Sequence, residues 1–480
     1  SFMVARRQAA KGSSEISGHF QGNRSFGYVV MFLTLTASAL SGYTVVGVPN
    51  ESAGSAFMST RWLVGALFGG LQFSIFAPRL RRLCVARHYM SPMDLISDRF
   101  NSVALKVVTA ICLCIPQLIY IAVQLFTLNS TLEVVSGGEM NGKTVMWFLA
   151  VLIIICEWLG GLRGVIFTDC LQGAMMISGS LAISMILMQN YGGLSDLVGG
   201  NCPNYDPETN TGCLANTKWY LTLHPTSVGQ SDLVEKAGLT SDDPQYAAAN
   251  AIDNNPGFRH SALNMMSFFI LFMSFGLNPH LVQRFGAVNK DSNLKKSIIM
   301  TFFCPFVITM PAMFMGIVKS AIYPKVKIDG VCDDVAGPGC NVYGVMLTDL
   351  MNKGGFSSFV AVISACSSIA AIMSTADSCV MGATNILSLD VVQGVLLPNL
   401  SDRNTLYISK GISAVYVLGA AWWSTTDMWT TQRGFYGKML NIQNGFIWQC
   451  VPAFLSAMYL PDAWTSAYSI LSGMLSGVFL

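Results

Sequence analysis

The chain has 480 residues, 52% of them hydrophobic and only 11% charged, with a mean hydropathy of +0.49. A soluble domain carries about 25% charged residues, so this composition excludes a soluble globular protein and points to a polytopic helical membrane protein. The net charge of +2 provides no basic tail for nucleic acid, and no Gly-rich phosphate loop suggests a nucleotide.

Length and apolarity predict eleven spans, at 26–48, 60–84, 102–133, 144–160, 163–190, 259–286, 295–323, 356–388, 405–424, 440–460 and 463–480. Residues 1–25 read as a cytoplasmic segment before the core. The opening Ser1-Phe2-Met3 reads as a chain preceded by further residues, without a visible signal peptide. The first span carries a run of small residues midway, Thr36-Ala37-Ser38-Ala39-Leu40-Ser41-Gly42-Tyr43, which serves either close helix packing or a helix break. The loop after the second span holds Arg79, Arg81, Arg82, Arg87 and Arg99, and the loop after the sixth holds Arg284, Lys290, Lys295 and Lys296. The positive-inside rule makes that side cytoplasmic.

The fourth and fifth spans meet around Gly160-Gly161. Glu157 lies beside this junction, where snorkelling to water is the cheap arrangement. Asp169 lies deeper in the fifth span. It is either a structural partner of Arg163 or of a helix amino end, or else a cation ligand or proton acceptor. Loop 191–258 falls outside and is rich in acids, among them Asp196, Asp206, Glu208 and Asp232. Cys202 with Cys213 there, and Cys332 with Cys340 in loop 324–355, are expected disulfides in an oxidising compartment. The remaining cysteines are scattered packing residues, and no spacing resembles a zinc site. Asn50 and Asn129 begin glycosylation sequons near the outer side.

The sixth span is interrupted by Phe275-Gly276-Leu277-Asn278-Pro279-His280. Proline removes a helix hydrogen bond, and together these residues free carbonyls at mid-depth. Paired interruptions five spans apart predict an inverted repeat with a site between broken helices. The eighth span supplies hydroxyls in Ser374, Thr375 and Ser378, at i, i+1 and i+4 on roughly one face, with Asp377 beside them. Hard oxygen ligands clustered at membrane depth suit a small hard cation such as sodium. The plain alternative is that these hydroxyls bond back to their own helix.

With these pieces in place the chain resembles the sodium:solute symporter family, whose members carry proline, pantothenate, monocarboxylates, sialic acid and sugars. The resemblance rests on Gly160-Gly161, Thr168-Asp169 and Gln172, on Asn278-Pro279-His280 with Arg284-Phe285, and on Ala371 to Ser378, in order along nearly the whole chain. It implies an all-α membrane protein with a LeuT-like core of two inverted five-helix repeats, 26–190 and 259–460, plus an additional span at 463–480.

It also implies a sodium site made of main-chain carbonyls of Ala37, Leu40 and Ala371 and hydroxyls of Ser374 and Thr375. Some members bind a further sodium at the position of Asp169. Here Asp169, Asp377 and Ser378 are the expected second cation or proton site, with Asp377 standing where such members carry a hydroxyl. Two carboxylates this close repel unless a cation or proton lies between them. Solute contacts implied by the proline-type members fall on Ser41, Tyr120, Leu271, Phe275 and Pro279. Gly42 at the break and the polar Gln124, Asn278 and Gln443 complete the expected substrate set. Trp62 to Phe76 holds no acid, which disfavours a sugar and favours an amino acid or monocarboxylate.

The leading expectation is sodium-driven uptake of a small organic solute across the plasma membrane, with sodium, solute and bilayer lipid as expected partners and no nucleic acid. A transporter-like sensor and a proton-coupled or uncoupled carrier are the alternatives. An enzyme is disfavoured, because no Ser/His/Asp or Cys/His constellation appears.

Overall fold

In hydrocarbon every peptide group must be bonded within the protein, so each long apolar run of this sequence forms a helix. The computed structural model describes residues 14–55, 59–191, 274–322, 341–431, 435–461 and 464–479, with the isolated positions Met266, Phe268, Phe269 and Phe272. The predicted pairs Cys202–Cys213 and Cys332–Cys340, the acidic loop and Leu271 lie outside the described residues.

Helix α1 (Ser14–Gln21) precedes the core. The first span is α2 (Tyr28–Ala39), a π-helical turn at Tyr43–Gly47 and α3 (Val48–Ser55). Next come α4 (Thr60–Arg87), α5 (Pro92–Phe100), α6 (Val103–Val135) and α7 (Gly142–Tyr191). After the undescribed region follow α8 (Pro279–Ala287), α9 (Asp291–Ile322), α10 (Val342–Asn352) and α11 (Gly355–Asn385), the last extended by a π-helix over Ile386–Leu396. Helices α12 (Asp402–Ser424), α13 (Phe435–Tyr459) and α14 (Ala467–Phe479) close the chain.

Among the described residues five helices are long and apolar enough to cross a membrane, and the bent first span makes a sixth. One of the five, Gly142–Gln189, has 48 residues. As a straight rod it would measure about 72 Å at ~1.5 Å per residue, more than twice a ~30 Å hydrocarbon core. Gly161 divides it: at φ 53° and ψ −158° it leaves the helix at the predicted junction of spans four and five. A Cβ on Gly161 would meet His19 Nδ1 of α1 at 2.6 Å. The turn is therefore sealed against the pre-core helix, and burial lowers the pKa of His19 to about 4.

Several expectations change. Arg79, Arg81, Arg82 and Arg87 belong to α4, and Arg99 to α5, rather than to a loop. Arg81 is buried, pairs with Asp291 and donates to the Val288 carbonyl at 3.1 Å. Arg24 Nη2 donates to the Cys84 carbonyl at 2.8 Å. Phe26 and Val288 are bridged, with Asn289 N donating to the Phe26 carbonyl at 3.0 Å. The arginine-rich end is thus a tied plug, because guanidinium groups at helix ends satisfy carbonyls that the turns leave open. The predicted loop 324–355 contains α10, capped by Asn341, whose side chain accepts from Gly344 N. Asn129 is buried within α6, and Asn50 Oδ1 accepts from Val342 N at 2.6 Å. Both sequon side chains are absorbed by packing in this arrangement.

The apolar interior forms two clusters. One gathers Val45, Ile121, Ile153, Ile317 and Leu347, and the other Phe20, Phe76, Leu113, Leu281 and Phe454 at the arginine-rich end. Leu35 and Met381 belong to the second cluster while Ala37, Leu40 and Ala371 belong to the first, so the first and eighth spans each contribute to both. The substitution Gly161→Ala is expected to cost about 1–3 kcal/mol through backbone strain. It should lower the thermal unfolding midpoint of the detergent-purified protein.

Candidate functional site

The first span leaves the helix at Leu40, whose backbone is extended at φ −105° and ψ 98°. The two helical halves are bent by 56°. The break exposes peptide groups in the protein interior, and each needs a partner there. Gly42 N donates to Gln124 Oε1 of α6 at 3.0 Å. The Ala37 carbonyl accepts from Ser374 Oγ of α11 at 2.8 Å, and the Ala371 carbonyl lies 3.0 Å from the same hydroxyl. Thr375 is fully buried, and its Oγ1 has no hydrogen-bond partner. Two freed or shared carbonyls, one hydroxyl and an orphaned neighbouring hydroxyl thus gather between the first and eighth spans. These are neutral oxygen donors of the kind a desolvated monovalent cation needs.

One turn along α11 the structure departs from expectation. Asp169 accepts from Thr34 Oγ1 at 2.7 Å and from Arg284 Nη2 at 2.5 Å, both on Oδ2. Arg284 Nη2 also donates to Ser378 Oγ at 2.6 Å, Nε to Thr34 Oγ1 at 2.9 Å and Nη1 to the His280 carbonyl at 2.6 Å. Arg284 and Asp169 are both 0% exposed. The sequence reading put Arg284 among loop cations, whereas it is the largest fully buried side chain of the described residues. Asp169 does not pair with Arg163, which is exposed. A guanidinium therefore bridges Asp169 and Ser378, two of the three residues expected to form a second cation or proton site.

Asp377 is separate from this pair. At ~100° per residue, Ser374 and Ser378 share a face while Thr375 and Asp377 stand on opposite flanks of it. The expected common face therefore splits. Asp377 is buried with Oδ1 unpartnered, and its charged neighbours are Asp169, Glu157 and Arg284. Glu157 does not snorkel, since it is 1% exposed. Ser413 and Lys410 of α12 are its polar neighbours.

A cavity of about 60 Å³ opens beside the break, lined by Ser41, Trp62, Tyr120, Phe272, Phe275 and Gln443 among others. That is room for a few waters, so a solute of amino-acid size requires the aromatic wall to swing. Four of the expected substrate residues line it: Ser41, Tyr120, Phe275 and Gln443. Four others support the breaks instead. Gly42 and Gln124 bond each other, and Asn278 donates from Nδ2 to the Phe275 carbonyl at 2.9 Å while accepting from Gln117 Nε2 at 3.0 Å. Pro279 starts α8. Leu271 is among the undescribed residues.

The sequence reading missed Trp62, Phe272 and Thr301 in the wall, and Gln117, which also meets His280 Nδ1 at 2.9 Å. Gln117 and Gln124 lie seven residues apart in an apolar span, and that polar pair at membrane depth was the available signal. A second missed cluster sits at the pocket's other edge. Glu51 accepts from Trp62 Nε1 at 2.6 Å and Tyr43 Oη at 3.2 Å, and pairs with Arg61 at 2.7 Å.

Comparisons with known proteins place this geometry in context. The model of the sodium:solute symporter family matches residues 19–477. A sodium/myo-inositol cotransporter of Canis lupus familiaris is 26% identical over 430 residues, 85% of this chain and 55% of the relative. An osmoregulated proline transporter of Bacillus subtilis is 27% identical over 199 residues, 39% of this chain and 38% of the relative. The chain spans about half the length of the curated relatives it matches. The solved substrate-bound, outward-open state of a Na+-coupled sialic acid symporter superposes with a TM-score of 0.66 at 15% identity, covering 100% of this chain and 95% of that one. It carries the fold, a LeuT-like architecture.

Removing Asp169 strands a buried guanidinium, so Asp169→Ala is expected to destabilise the protein by about 3–5 kcal/mol. The double variant Asp169→Ala/Arg284→Met should recover most of that loss in thermal unfolding. A double variant no more stable than Asp169→Ala would mean that the pair is not the source.

Proposed function

The chain belongs to the sodium:solute symporter family, and on that premise we propose that it is a sodium-coupled symporter of a small organic solute working by alternating access. The observation that carries the reading is the meeting of the Ala37 and Ala371 carbonyls with Ser374 Oγ, at 2.8 and 3.0 Å, beside the orphaned Thr375 hydroxyl. In the proposed site Ala37, Leu40 and Ala371 contribute carbonyls and Ser374 and Thr375 hydroxyls. Ser374 Oγ now spends its hydrogen on a carbonyl. With sodium bound, the hydroxyl turns its lone pairs to the ion, and the carbonyls that accepted its hydrogen become ligands.

Coupling follows from where this site sits. Sodium binding ties the break of the first span to α11, and the same break forms one wall of the solute cavity. A cation that orders the break therefore favours solute binding, and the reverse holds by linkage. Release needs the opposite end to open, which means parting the Phe26–Val288 bridge and the Arg81 and Arg24 contacts. One sodium moving through 100 mV supplies ~2.3 kcal/mol, roughly a forty-fold solute gradient at ~1.4 kcal/mol per decade.

The solute is proposed to be a small amino acid or monocarboxylate. The cavity is lined by hydroxyls, amides and aromatic rings, with no charged side chain. A carboxylate would then find its countercharge in the neighbouring sodium, because Ser41 follows directly on the Leu40 carbonyl. The myo-inositol and proline relatives make polyols and amino acids the two classes to compare. The proposed setting is a cellular plasma membrane.

Ser374→Ala and Thr375→Ala are each expected to raise the sodium concentration for half-maximal binding tenfold or more, about 1.4 kcal/mol. Ser456→Ala, whose hydroxyl bonds only within its own helix, serves as control. Unchanged sodium affinity in both site variants would sink the assignment. A panel of amino acids, monocarboxylates and polyols, tested for thermal stabilisation in sodium and in potassium, is expected to yield hits in sodium alone. Hits confined to polyols would overturn the solute class.

A further inference from the structure

One flank of α4 changes its chemistry within a single turn. Leu71, Ile75, Arg79 and Arg82 stand at i, i+4, i+8 and i+11, hence on one face of the helix. All four are exposed, Leu71 by 50% and Ile75 by 42%. No charged residue lies between Arg61 and Arg79, and that length of helix measures about 27 Å at ~1.5 Å per residue. A hydrocarbon core is ~30 Å thick, so Arg79 stands where acyl chains end and Arg82 about 4.5 Å beyond, at headgroup depth. Along this face two aliphatic side chains are followed by two guanidinium groups. A phospholipid offers the complement, an acyl chain followed by a phosphate.

The two guanidinium groups are held without being neutralised. Arg79 lies over the Tyr459 ring, 4.6 Å from its centroid, and Tyr459 Oη donates to the Ile75 carbonyl at 2.6 Å. Arg82 Nε donates to the Pro78 carbonyl at 3.2 Å. Arg99 of α5 donates to the Leu460 carbonyl at 2.8 Å and fixes the end of α13 beside them. The neighbouring acids are spent on other arginines, Asp291 on Arg81 and Asp98 on Arg87. Among the described residues neither Arg79 nor Arg82 has an acidic partner. An aromatic contact orients a guanidinium but leaves its charge in place, and its planar fork of donors fits a phosphate.

We propose that this face of α4, together with the end of α13, is a binding site for an anionic phospholipid. The phosphate is taken by Arg79 and Arg82, and the acyl chains run along Ile75 and Leu71. The charge count selects the lipid class. A choline headgroup carries its own cation to two guanidinium groups that already repel one another, whereas a headgroup with net negative charge relieves that repulsion. The aliphatic half of the stripe selects a lipid over a free phosphate ion, which gains nothing from Leu71 and Ile75. The site lies outside the solute cavity and the broken spans, so it stands or falls independently of sodium coupling.

The test uses the full chain in detergent with two lipid probes, palmitoyl-oleoyl phosphatidylglycerol and palmitoyl-oleoyl phosphatidylcholine, and native mass spectrometry counts the lipid retained. The wild type is expected to retain phosphatidylglycerol with a roughly tenfold or greater preference. In Arg79→Gln/Arg82→Gln that preference should fall to near parity. In Arg87→Gln, which removes an exposed charge already paired with Asp98, it should persist. Millimolar inorganic phosphate should leave the bound lipid in place. Equal retention of the two lipids by the wild type would overturn the proposal. A preference that survives the double variant, or that drops as far in Arg87→Gln, would overturn it too, as would displacement of the lipid by inorganic phosphate. The wild-type preference and the phosphate competition need no variant, so they decide the matter even if the double variant misfolds.

Discussion

The architecture depends on two interruptions of helical backbone in a medium that offers no water to repair them. At Leu40 to Gly42 and at Phe275 to Pro279 the helical ladder lapses, and each released peptide group must find a bond inside the protein. Side chains from neighbouring helices take up that duty. Gln124 holds the first break, Asn278 with Gln117 holds the second, and Ser374 reaches the Ala37 carbonyl. The breaks are therefore stabilised positions rather than defects. They put concentrated carbonyl dipoles and a small recess side by side.

The second organising feature is electrostatic. A fully buried arginine is tolerable only when its nitrogens are bonded and its charge is matched. In Arg284 every guanidinium nitrogen is bonded, four of the five N–H groups going to Asp169, Thr34, Ser378 and the His280 carbonyl, and Asp169 matches the charge. Because these partners come from α2, the second arm of α7, α8 and α11, one ion pair ties together both broken spans and both helices that flank them. It also lies one helical turn from the Ser374 hydroxyl, so the fixed charge contributes to the field at the neutral oxygen site. Small shifts of α11 relative to the first span would be felt by both.

Aromatic side chains govern access. Trp62, Phe272 and Phe275 stand around the cavity as edge-on and tilted rings. The cavity's other edge is fastened by Glu51 with Arg61, Trp62 and Tyr43. Rotating one ring enlarges the cavity without breaking backbone bonds. Opening the arginine-rich end, by contrast, requires several charged and main-chain bonds to part together. The two ends are thus fastened differently, one by ring packing with a single ion pair and the other by several charged and main-chain bonds.

By itself the amino-acid sequence determined the hydrophobic spans, the break in the sixth span, the Gly161 junction and the hydroxyl-bearing turn of α11. Each is a local property, since span length, proline chemistry, glycine conformation and hydroxyl spacing act within a few residues. It also ranked Asp169 as a deep acid, because charge at membrane depth stands out in any apolar run. Only the tertiary structure decided which cation answers it. Arg284 lies at the end of an apolar segment and read as a positive-inside residue, and nothing in its neighbours along the chain pointed inward. The diversion of Gln124 to the Gly42 amide and the pairing of Asn278 with Gln117 were settled in the same way. Pairings between residues more than eighty positions apart depend on how helices are set against one another, and that follows from packing shape and hydrogen-bond completeness across the whole fold rather than from any one stretch of it.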